Sequence, residues 1–285
     1  MRLIRFGDPG YELPGVELGD GTRLDVSGFD EDYDELFFGG DGLERLREWL
    51  EMNQDSVPRV PSLVRLGPPI VRPSKIVCIG LNYSDHAKES GMEVPDEPVI
   101  FFKATSALNG PNDNVVIPRG GTKVDYEVEF AFVIGKKASY VPKERAWEHV
   151  AGFALTNDYS ERAFQIETSG QWVKGKSCDT FAPLGPWLVT PDEIEDYKNL
   201  KIWLKVNGEY RQNSSTSYMI YDVPYLIEQL SGYMTLLPGD IVSTGTPPGV
   251  GLGFRPPKYL KEGDVVEQGI DGLGESTQTI VPYEH

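Results

Sequence analysis

Alternating acidic residues run along the segment VDYEVEFAFVIG, residues 124–135. Asp125, Glu127 and Glu129 are separated by single apolar residues, and the segment then becomes wholly apolar. Because successive side chains of a β-strand point to opposite faces, the three acids are predicted to share one face. The apolar end favours burial on both faces, and buried carboxylates need a partner of opposite charge. A solvated strand face is the alternative interpretation.

A fourth acid, Asp158, comes shortly after the apolar run VAGFAL, at the end of a second predicted strand. Three carboxylates with open coordination positions form a site of hard oxygen ligands. Mg²⁺ or Mn²⁺ suits such a site best, with water or substrate oxygens completing an octahedron. The acidic pattern therefore predicts a divalent metal site.

One histidine, His86, is a candidate general base. His86 precedes Glu89 by three residues in a segment predicted to begin a short helix, so the two side chains meet on one helical face. A neighbouring carboxylate fixes the tautomer of an imidazole and raises its basicity. A surface His–Glu pair without consequence is the alternative.

Two lysines separated by a glycine, Lys174 and Lys176, lie in the segment QWVKGKSCD. A lysine near a metal site stabilises a substrate carboxylate or enolate oxygen as negative charge develops. Two solvated lysines on a loop are the alternative. Gln165 and Gln171 are nearby candidate donors to substrate oxygens.

The segment STGTPPGVG, residues 243–251, predicts an irregular loop directly after a strand. Its backbone N–H groups and the hydroxyls of Thr244 and Thr246 are candidates to cradle an anion. It is not a P-loop, because no Gly-Lys-Ser/Thr follows. An ordinary tight turn is the alternative.

Bulk properties narrow the classes of partner. The chain has 285 residues, 39% of them hydrophobic, and a formal net charge of −17, which argues against nucleic acid or an anionic membrane as a partner. An anionic substrate would need local positive charge or a metal. No apolar segment approaches the length of a membrane span, and the N-terminus lacks a signal-like stretch. Cys78 and Cys178 show no metal-type spacing, so a cytoplasmic protein with free thiols is expected.

Turn-rich composition and short predicted strands indicate a mainly β, α+β fold with a few helices. Residues 1–70 are predicted to form a small N-terminal α/β domain, and residues 71–285 the catalytic domain. The strands of the larger domain are predicted at 75–83, 114–118, 124–135, 150–158, 201–208, 240–245, 264–270 and 276–281. Helices are predicted at 41–52, 84–91, 142–150 and 222–233.

Six segments in chain order resemble the fumarylacetoacetate hydrolase family. They are GLNYSDH, FFKATSAL, DYEVEF, NDYSERAFQ, KGKSCDTFAPLGPW and LLPGDIVSTGTPPGVG. The resemblance covers about residues 70–282 and implies the β-rich core of that family. Within the family, the chain most resembles bacterial 2,4-diketo-3-deoxy-L-rhamnonate and -fuconate hydrolases.

The resemblance implies that Glu127, Glu129 and Asp158 are the metal carboxylates, with Mg²⁺ or Mn²⁺ as the cofactor. Fumarylacetoacetase itself uses a fourth metal carboxylate just upstream of its histidine. The matching segment around Ile79, CIGLNY, has no acid. A three-carboxylate site is therefore expected, and fumarylacetoacetate is not the expected substrate.

The resemblance also implies catalytic and substrate-contacting residues. His86 and Glu89 match the pair that activates water in hydrolytic members, on a segment that becomes ordered when ligand binds. Lys176 matches the lysine that stabilises the enolate or departing carbanion. Gln165 and Thr246 match positions that contact substrate.

These residues predict an enzyme that hydrolyses a carbon–carbon bond of a 2,4-diketo acid and releases pyruvate. The expected partner is a small anionic ketoacid, specifically a diketo-deoxy sugar acid, and the resemblance implies a homodimer. Oxaloacetate decarboxylation and isomerisation of a 2-hydroxy-dienoate in the same metal site are the alternatives. A binding module with a degenerate site is a further alternative, but the metal carboxylates and the lysine are all present.

Overall fold

A computed structural model describes residues 1–84 and 96–284 of the chain. Strands are the main elements of this part. They are β1 Arg2–Phe6, β2 Leu13–Glu17, β3 Arg23–Asp25, β4 Arg59–Val60, β5 Leu66–Gly67, β6 Ile76–Gly80, β7 Val99–Lys103, β8 Leu108–Asn109, β9 Val115–Val116, β10 Val124–Asp125, β11 Val128–Ile134, β12 Val150–Asn157, β13 Ser160–Glu161, β14 Ala182–Pro183, β15 Leu188–Val189, β16 Lys201–Val206, β17 Glu209–Ser215, β18 Ile241–Ser243, β19 Val265–Ile270 and β20 Gly274–Val281.

The α-helices of the same residues are few and short. They are α1 Glu35–Gly39, α2 Gly42–Asn53, α3 Arg162–Ile166, α4 Val173–Lys176 and α5 Val223–Tyr233. The expected mainly β fold with a few helices is therefore confirmed. None of these helices is long and apolar enough to cross a membrane.

The largest sheet has the order β4-β3-β2-β1-β15-β12-β11-β18-β6-β7, with β5 also paired to β1. All seven residues of β11 are buried, as expected for a central strand covered on both faces. A second sheet has the order β17-β16-β19-β20-β9. Its strand β17 reaches β11 through the Gln212 side chain, whose Oε1 accepts a hydrogen bond from the Val128 amide at 3.0 Å. The start of β11 is thereby fixed between the two sheets.

The N-terminal strands join the same large sheet. Strand β1 pairs with β15, with Arg2 opposite Val189 and Leu3 opposite Leu188. One buried apolar cluster extends from Leu46 of α2 to Phe130 of β11. The predicted division of the chain at residue 70 stays a prediction.

The segment predicted as one strand over residues 124–135 forms two. Strand β10 pairs with β13, whereas β11 pairs with β12. Tyr126 and Glu127 lie between the strands, because the Glu127 amide binds the Asn157 side chain at 2.9 Å instead of a backbone carbonyl. The Glu127 carbonyl accepts from the Asp158 amide at 2.9 Å. The interruption places Glu127 beside the end of β12.

The helix predicted at residues 142–150 is wrong, because Lys143–His149 form 3₁₀ turns. Ala146 is the buried residue of this segment, so it lacks the apolar stripe that stabilises an α-helix through packing. The chain continues directly into β12 at Val150. The helix predicted at 222–233 is confirmed as α5, where the Asp222 side chain caps the Tyr225 amide.

Candidate active site

Three carboxylates converge where β11 and β12 pair. Glu129 lies on β11 opposite Thr156, Asp158 follows the end of β12, and Glu127 directly precedes β11. Their exposed fractions are 9% for Glu127 and 1% for each of the other two. One oxygen from each carboxylate lies within 4.8 Å of those of the other two. The solvated strand face is therefore excluded as an interpretation.

Asp125, the first acid of the alternating row, does not join this oxygen cluster. Its Oδ2 accepts a hydrogen bond from Arg162 Nε at 2.8 Å. Both oxygens also accept backbone N–H groups, from Gly251 at 2.6 Å and Leu252 at 3.0 Å. Asp125 is therefore paired within the protein, apart from the three carboxylates that were predicted to bind the metal.

Buried cations surround the carboxylates. Lys176 Nζ lies 2.7 Å from Glu127 Oε2 and 2.5 Å from Asp158 Oδ2. Lys103 Nζ lies 2.5 Å from Asp158 Oδ1, and an Arg162 terminal nitrogen lies 2.6 Å from Glu127 Oε1. Each of these buried charges has at least one charge-assisted hydrogen bond.

The surrounding charges move the carboxylate pKa values apart. Burial alone would raise the pKa of Glu127, but the charges of Lys176 and Arg162 outweigh burial and lower the pKa to about 2. Burial, followed by the negative charges of Asp158 and Glu127, raises the pKa of Glu129 well above its ordinary value. Glu129 is therefore the carboxylate that most lacks compensating positive charge.

The donor set fits a hard divalent cation. Glu129 Oε2 accepts hydrogen bonds from the Ser243 hydroxyl and, at 2.9 Å, from the Gly245 amide. Both of these hydrogen bonds are made to the same carboxylate oxygen. An under-compensated buried carboxylate beside two further carboxylates is the environment that Mg²⁺ or Mn²⁺ would neutralise.

The lysine reaches the carboxylates because two short helices approach closely. Gly175 of α4 faces α3, and a Cβ atom at this position would lie only 2.3 Å from the Glu161 carbonyl oxygen. Any larger residue would push the helices apart. Lys176, the next residue, is 2% exposed, and its Nζ lies 5.0 Å from the centre of the Phe101 ring. The glycine between the two lysines therefore has a packing role.

The other candidate residues of this segment differ in whether they are buried near the carboxylates or exposed. Gln165 is buried, and its Oε1 accepts from an Arg162 terminal nitrogen at 2.9 Å. Lys174 is exposed and donates to the Thr168 hydroxyl at 2.8 Å. Gln171 is also exposed. The structure thus brings Gln165 and Lys176 to the carboxylates and leaves Lys174 and Gln171 at the surface.

The loop after β18 has internal partners for its polar groups. The Thr244 hydroxyl donates to the Phe130 carbonyl at 2.8 Å, and the Thr246 hydroxyl donates to the Val128 carbonyl at 2.9 Å. The Gly245 amide donates to Glu129 Oε2. These groups fix the loop to β11, and the Gly245 and Gly251 amides bind carboxylates of the protein itself. Binding of a substrate anion by this loop stays a prediction. Thr246 still lines the cavity, and its contact with substrate stays a prediction.

A cavity of about 320 Å³ opens onto the carboxylates, at the lower end of the size range of small-molecule sites. Charged and amide residues share its wall with apolar side chains. The lining residues are Ile79, Gly80, Leu81, Phe101, Glu127, Glu129, Arg162, Gln165, Ile166, Trp172, Lys176, Thr246, Val250, Leu252, Gly253 and Arg255. The predicted catalytic residues His86 and Glu89 lie outside the described residues.

Sequence reasoning missed two buried cations of the site. Arg162 lies three residues before Gln165, on the same helical face, so the spacing was available as a signal. Lys103 ends strand β7, a lysine after an apolar run, and it is 3% exposed. Neither local pattern shows which carboxylate the cation binds.

Comparisons with known proteins agree with this geometry. The family model described as "Fumarylacetoacetate (FAA) hydrolase C-terminal" matches residues 75–281. A protein of Burkholderia multivorans is 49% identical over 279 residues, which are 98% of both chains.

Solved structures of similar proteins cover the whole fold. A fumarylacetoacetate hydrolase from Exiguobacterium antarcticum is 36% identical, with a TM-score of 0.86 and coverage of 99% of this chain and 100% of that one. A maleylpyruvate hydrolase from Sphingobium sp. SYK-6, in complex with manganese(II) and pyruvate, is 32% identical, with a TM-score of 0.82 and full coverage of both chains. A 2-hydroxyhepta-2,4-diene-1,7-dioate isomerase from Mycobacterium marinum is 32% identical, with a TM-score of 0.76 and full coverage of both chains. By its sequence and its structure, this chain belongs to the fumarylacetoacetate hydrolase family.

Proposed function

We propose that the protein is a divalent-metal-dependent hydrolase that cleaves a carbon–carbon bond of an acylpyruvate, a 2,4-diketo acid, and releases pyruvate. The observation that carries this proposal is the convergence of Glu127, Glu129 and Asp158 beside a cavity that Glu127, Glu129 and Lys176 line. The similar maleylpyruvate hydrolase with manganese(II) and pyruvate supports the substrate class.

Glu127, Glu129 and Asp158 would hold the cation. When bound, a divalent cation supplies Lewis-acid polarisation and charge neutralisation to the oxygens of a ketoacid. The similar structure with manganese supports Mn²⁺ as well as Mg²⁺.

Lys176 and Gln165 are proposed to bind and orient the ketoacid. The Lys176 ammonium stays protonated, because Asp158 and Glu127 outweigh the effect of burial and raise its pKa. It is therefore a fixed positive charge near developing negative charge. The Gln165 amide is held by Arg162, which leaves its NH₂ group as the donor.

The hydrolysis needs a base for water. We propose His86, oriented by Glu89, in this role, on the family resemblance of GLNYSDHAKESG. His86 would take a proton from water as the water oxygen bonds to the C4 carbonyl carbon. The C3–C4 bond then breaks, its electron pair leaves with the pyruvate enolate, and a proton on C3 completes pyruvate. The other product is a carboxylic acid.

Isomerisation of a 2-hydroxy-dienoate is a second candidate, favoured by the similar isomerase from Mycobacterium marinum. The substrate of this reaction also carries a carboxylate and an oxygen on C2, which the same metal site would bind. The isomerisation itself needs no attack by water. Oxaloacetate decarboxylation, the other alternative from sequence, also needs none. Labelled water therefore separates hydrolysis from both.

The proposal is tested with purified full-length protein, Mg²⁺ or Mn²⁺, and three substrates: acetylpyruvate, oxaloacetate and a diketo-deoxy sugar acid. Hydrolysis of acetylpyruvate in H₂¹⁸O should give pyruvate and acetate in equal amounts, with one ¹⁸O in the acetate. His86→Ala should abolish that reaction while the metal still binds. Turnover of oxaloacetate alone, or pyruvate without labelled acid, would overturn hydrolysis as the function.

A further inference from the structure

Arg255 lies at the rim of the cavity, on the loop that follows β18. It is exposed and lines the same cavity as Glu127 and Lys176. Its guanidinium donates to two main-chain oxygens, those of Leu252 at 3.3 Å and Phe254 at 3.1 Å. These bonds orient the side chain without neutralising its charge.

The cationic side chains that line the cavity differ in whether a carboxylate of the protein neutralises their charge. Lys176 binds Glu127 and Asp158, and Arg162 binds Glu127 and Asp125. In contrast, no carboxylate within residues 1–84 and 96–284 forms an ion pair with Arg255. Its planar guanidinium therefore has a full charge to offer a ligand, in a geometry that suits a carboxylate.

Buried contacts fix the position of this arginine relative to the carboxylate cluster. The turn Gly251–Gly253 precedes Arg255, and Asp125 binds the first two amides of this turn. The same Asp125 carboxylate binds Arg162, which in turn binds Glu127. One rigid chain of contacts thus connects the rim to the carboxylates.

Close packing supports that rigidity. A Cβ atom at Gly251 would lie 2.2 Å from the Lys258 carbonyl oxygen and 2.6 Å from Asp125 Oδ1. The Lys258 amide also donates to the Gly251 carbonyl at 2.9 Å. The loop therefore closes on itself between Gly251 and Lys258, with Arg255 inside this closed segment.

Part of the cavity wall is apolar. Phe101 and Trp172 pack edge to face, with ring centres 5.3 Å apart, and Ile166 and Leu252 complete this surface. Such a wall suits a short carbon chain and offers few partners to hydroxyl groups. A ligand with a charged group at both ends and carbon between them matches the cavity.

We propose that Arg255 determines substrate specificity by binding a second carboxylate, at the end of the substrate distant from the diketo group. The substrate class is then a dicarboxylic acylpyruvate, rather than the polyhydroxylated chain that the sequence resemblance implies. This inference rests on the proposed function for the identity of the other end of the substrate.

The test compares two acylpyruvates of equal chain length, one ending in a carboxylate and one in a methyl group. Arg255→Gln should lower kcat/KM for the carboxylate substrate by roughly 10- to 100-fold, the range expected for losing a charged hydrogen bond. The methyl substrate should be unaffected, and Arg255→Lys should restore part of the preference. Wild-type preference for the carboxylate should weaken with added salt.

Lys258→Gln is the matched control. It removes one positive charge from the same loop, and Lys258 is exposed without lining the cavity. It should leave the ratio of the two kcat/KM values unchanged. If Arg255→Gln changes both substrates equally, or if Lys258→Gln has the same effect, Arg255 has no specific role.

Calorimetric titration of the two acylpyruvates into Mn²⁺-loaded protein separates this inference from the proposed function. If wild-type protein turns over neither compound, hydrolysis is wrong. The role of Arg255 is then judged by binding alone. If wild-type protein binds the carboxylate compound more tightly than the methyl compound, and Arg255→Gln loses this difference, the role is supported. Equal binding of both compounds by wild-type protein overturns it.

Discussion

Arg162 Nε donates a hydrogen bond to Asp125 Oδ2 at 2.8 Å, and the two side chains are 5% and 0% exposed. This buried ion pair connects helix α3 to the start of the acidic segment. It also explains why Asp125 is absent from the oxygen cluster although it continues the alternation of Glu127 and Glu129. The pair orients the guanidinium so that its other nitrogens reach Glu127 and Gln165.

Asp125→Ala is expected to destabilise the protein by about 3–5 kcal/mol, because it leaves a buried guanidinium with too little negative charge and three backbone amides without an acceptor. Urea unfolding followed by circular dichroism measures the loss. Glu148→Gln is the control, since it breaks the exposed Arg145–Glu148 pair and should have little effect. Similar midpoints for the two variants would contradict a structural role for Asp125.

Metal binding should stabilise the folded protein through the three clustered carboxylates. Mn²⁺ at 100 times its Kd is expected to add about 2.7 kcal/mol to the free energy of unfolding, because it binds the folded state. Glu129→Gln should abolish this gain. The exposed Glu167, which pairs with Lys123, offers a matched Glu→Gln control that should retain it. An equal gain in Glu129→Gln would remove this residue from the metal site.

In metal-free protein, Glu129 should make stability depend on pH. Burial and the charges of Asp158 and Glu127 raise its pKa above 4.5, so the folded state binds its proton more tightly than the unfolded state. Its stabilising contribution is therefore present below pH 4.5 and is lost as the pH rises towards the folded-state pKa. Wild-type protein in EDTA should lose stability relative to Glu129→Gln over this range. A constant difference in unfolding midpoints would contradict the raised pKa.

Variants of the two lysines of α4 should distinguish a charge that acts in catalysis from a charge at the surface. Lys176→Gln is expected to lower kcat by roughly 100- to 1,000-fold, because it removes a preorganised positive charge from the site. Lys174→Gln removes the same charge two residues away, at the surface, and should keep wild-type kcat. Both variants should retain stabilisation by Mn²⁺. Steady-state kinetics on acetylpyruvate gives the comparison, and equal losses in both variants would assign no special role to Lys176.

Local patterns predicted the acids of the site because alternation and apolar runs are properties of neighbouring residues. Glu129 and Asp158 follow from two strand patterns, and β11 and β12 then bring them together. The partner of Asp125 was not predictable in this way. Arg162 reaches it from a helix 37 residues along the chain, and only the tertiary arrangement of α3 decides which acid the guanidinium binds.

Fold class was predictable for a similar reason, since short apolar runs and turn residues are local signals. The break of the predicted 124–135 strand was not, because it depends on the distant Asn157 side chain taking the place of a backbone partner. The 3₁₀ turns at Lys143–His149 also escaped prediction. The charged residues there have good helix propensity, but the packing of a single buried alanine does not support an α-helix.

Gly175→Ala should destabilise the protein by about 1–3 kcal/mol, because the new methyl group would overlap the Glu161 carbonyl oxygen and force α4 away from α3. The same displacement should move Lys176 and lower kcat. Gly232 in α5 is the matched control, since a Cβ atom there meets nothing within 4 Å and its φ is not positive. Gly232→Ala should leave kcat unchanged and raise stability by up to about 1 kcal/mol. Urea unfolding tests whether the two variants change the free energy of unfolding in opposite directions, and acetylpyruvate kinetics measures kcat of both. A stabilising Gly175→Ala would show that the two helices do not need this close approach.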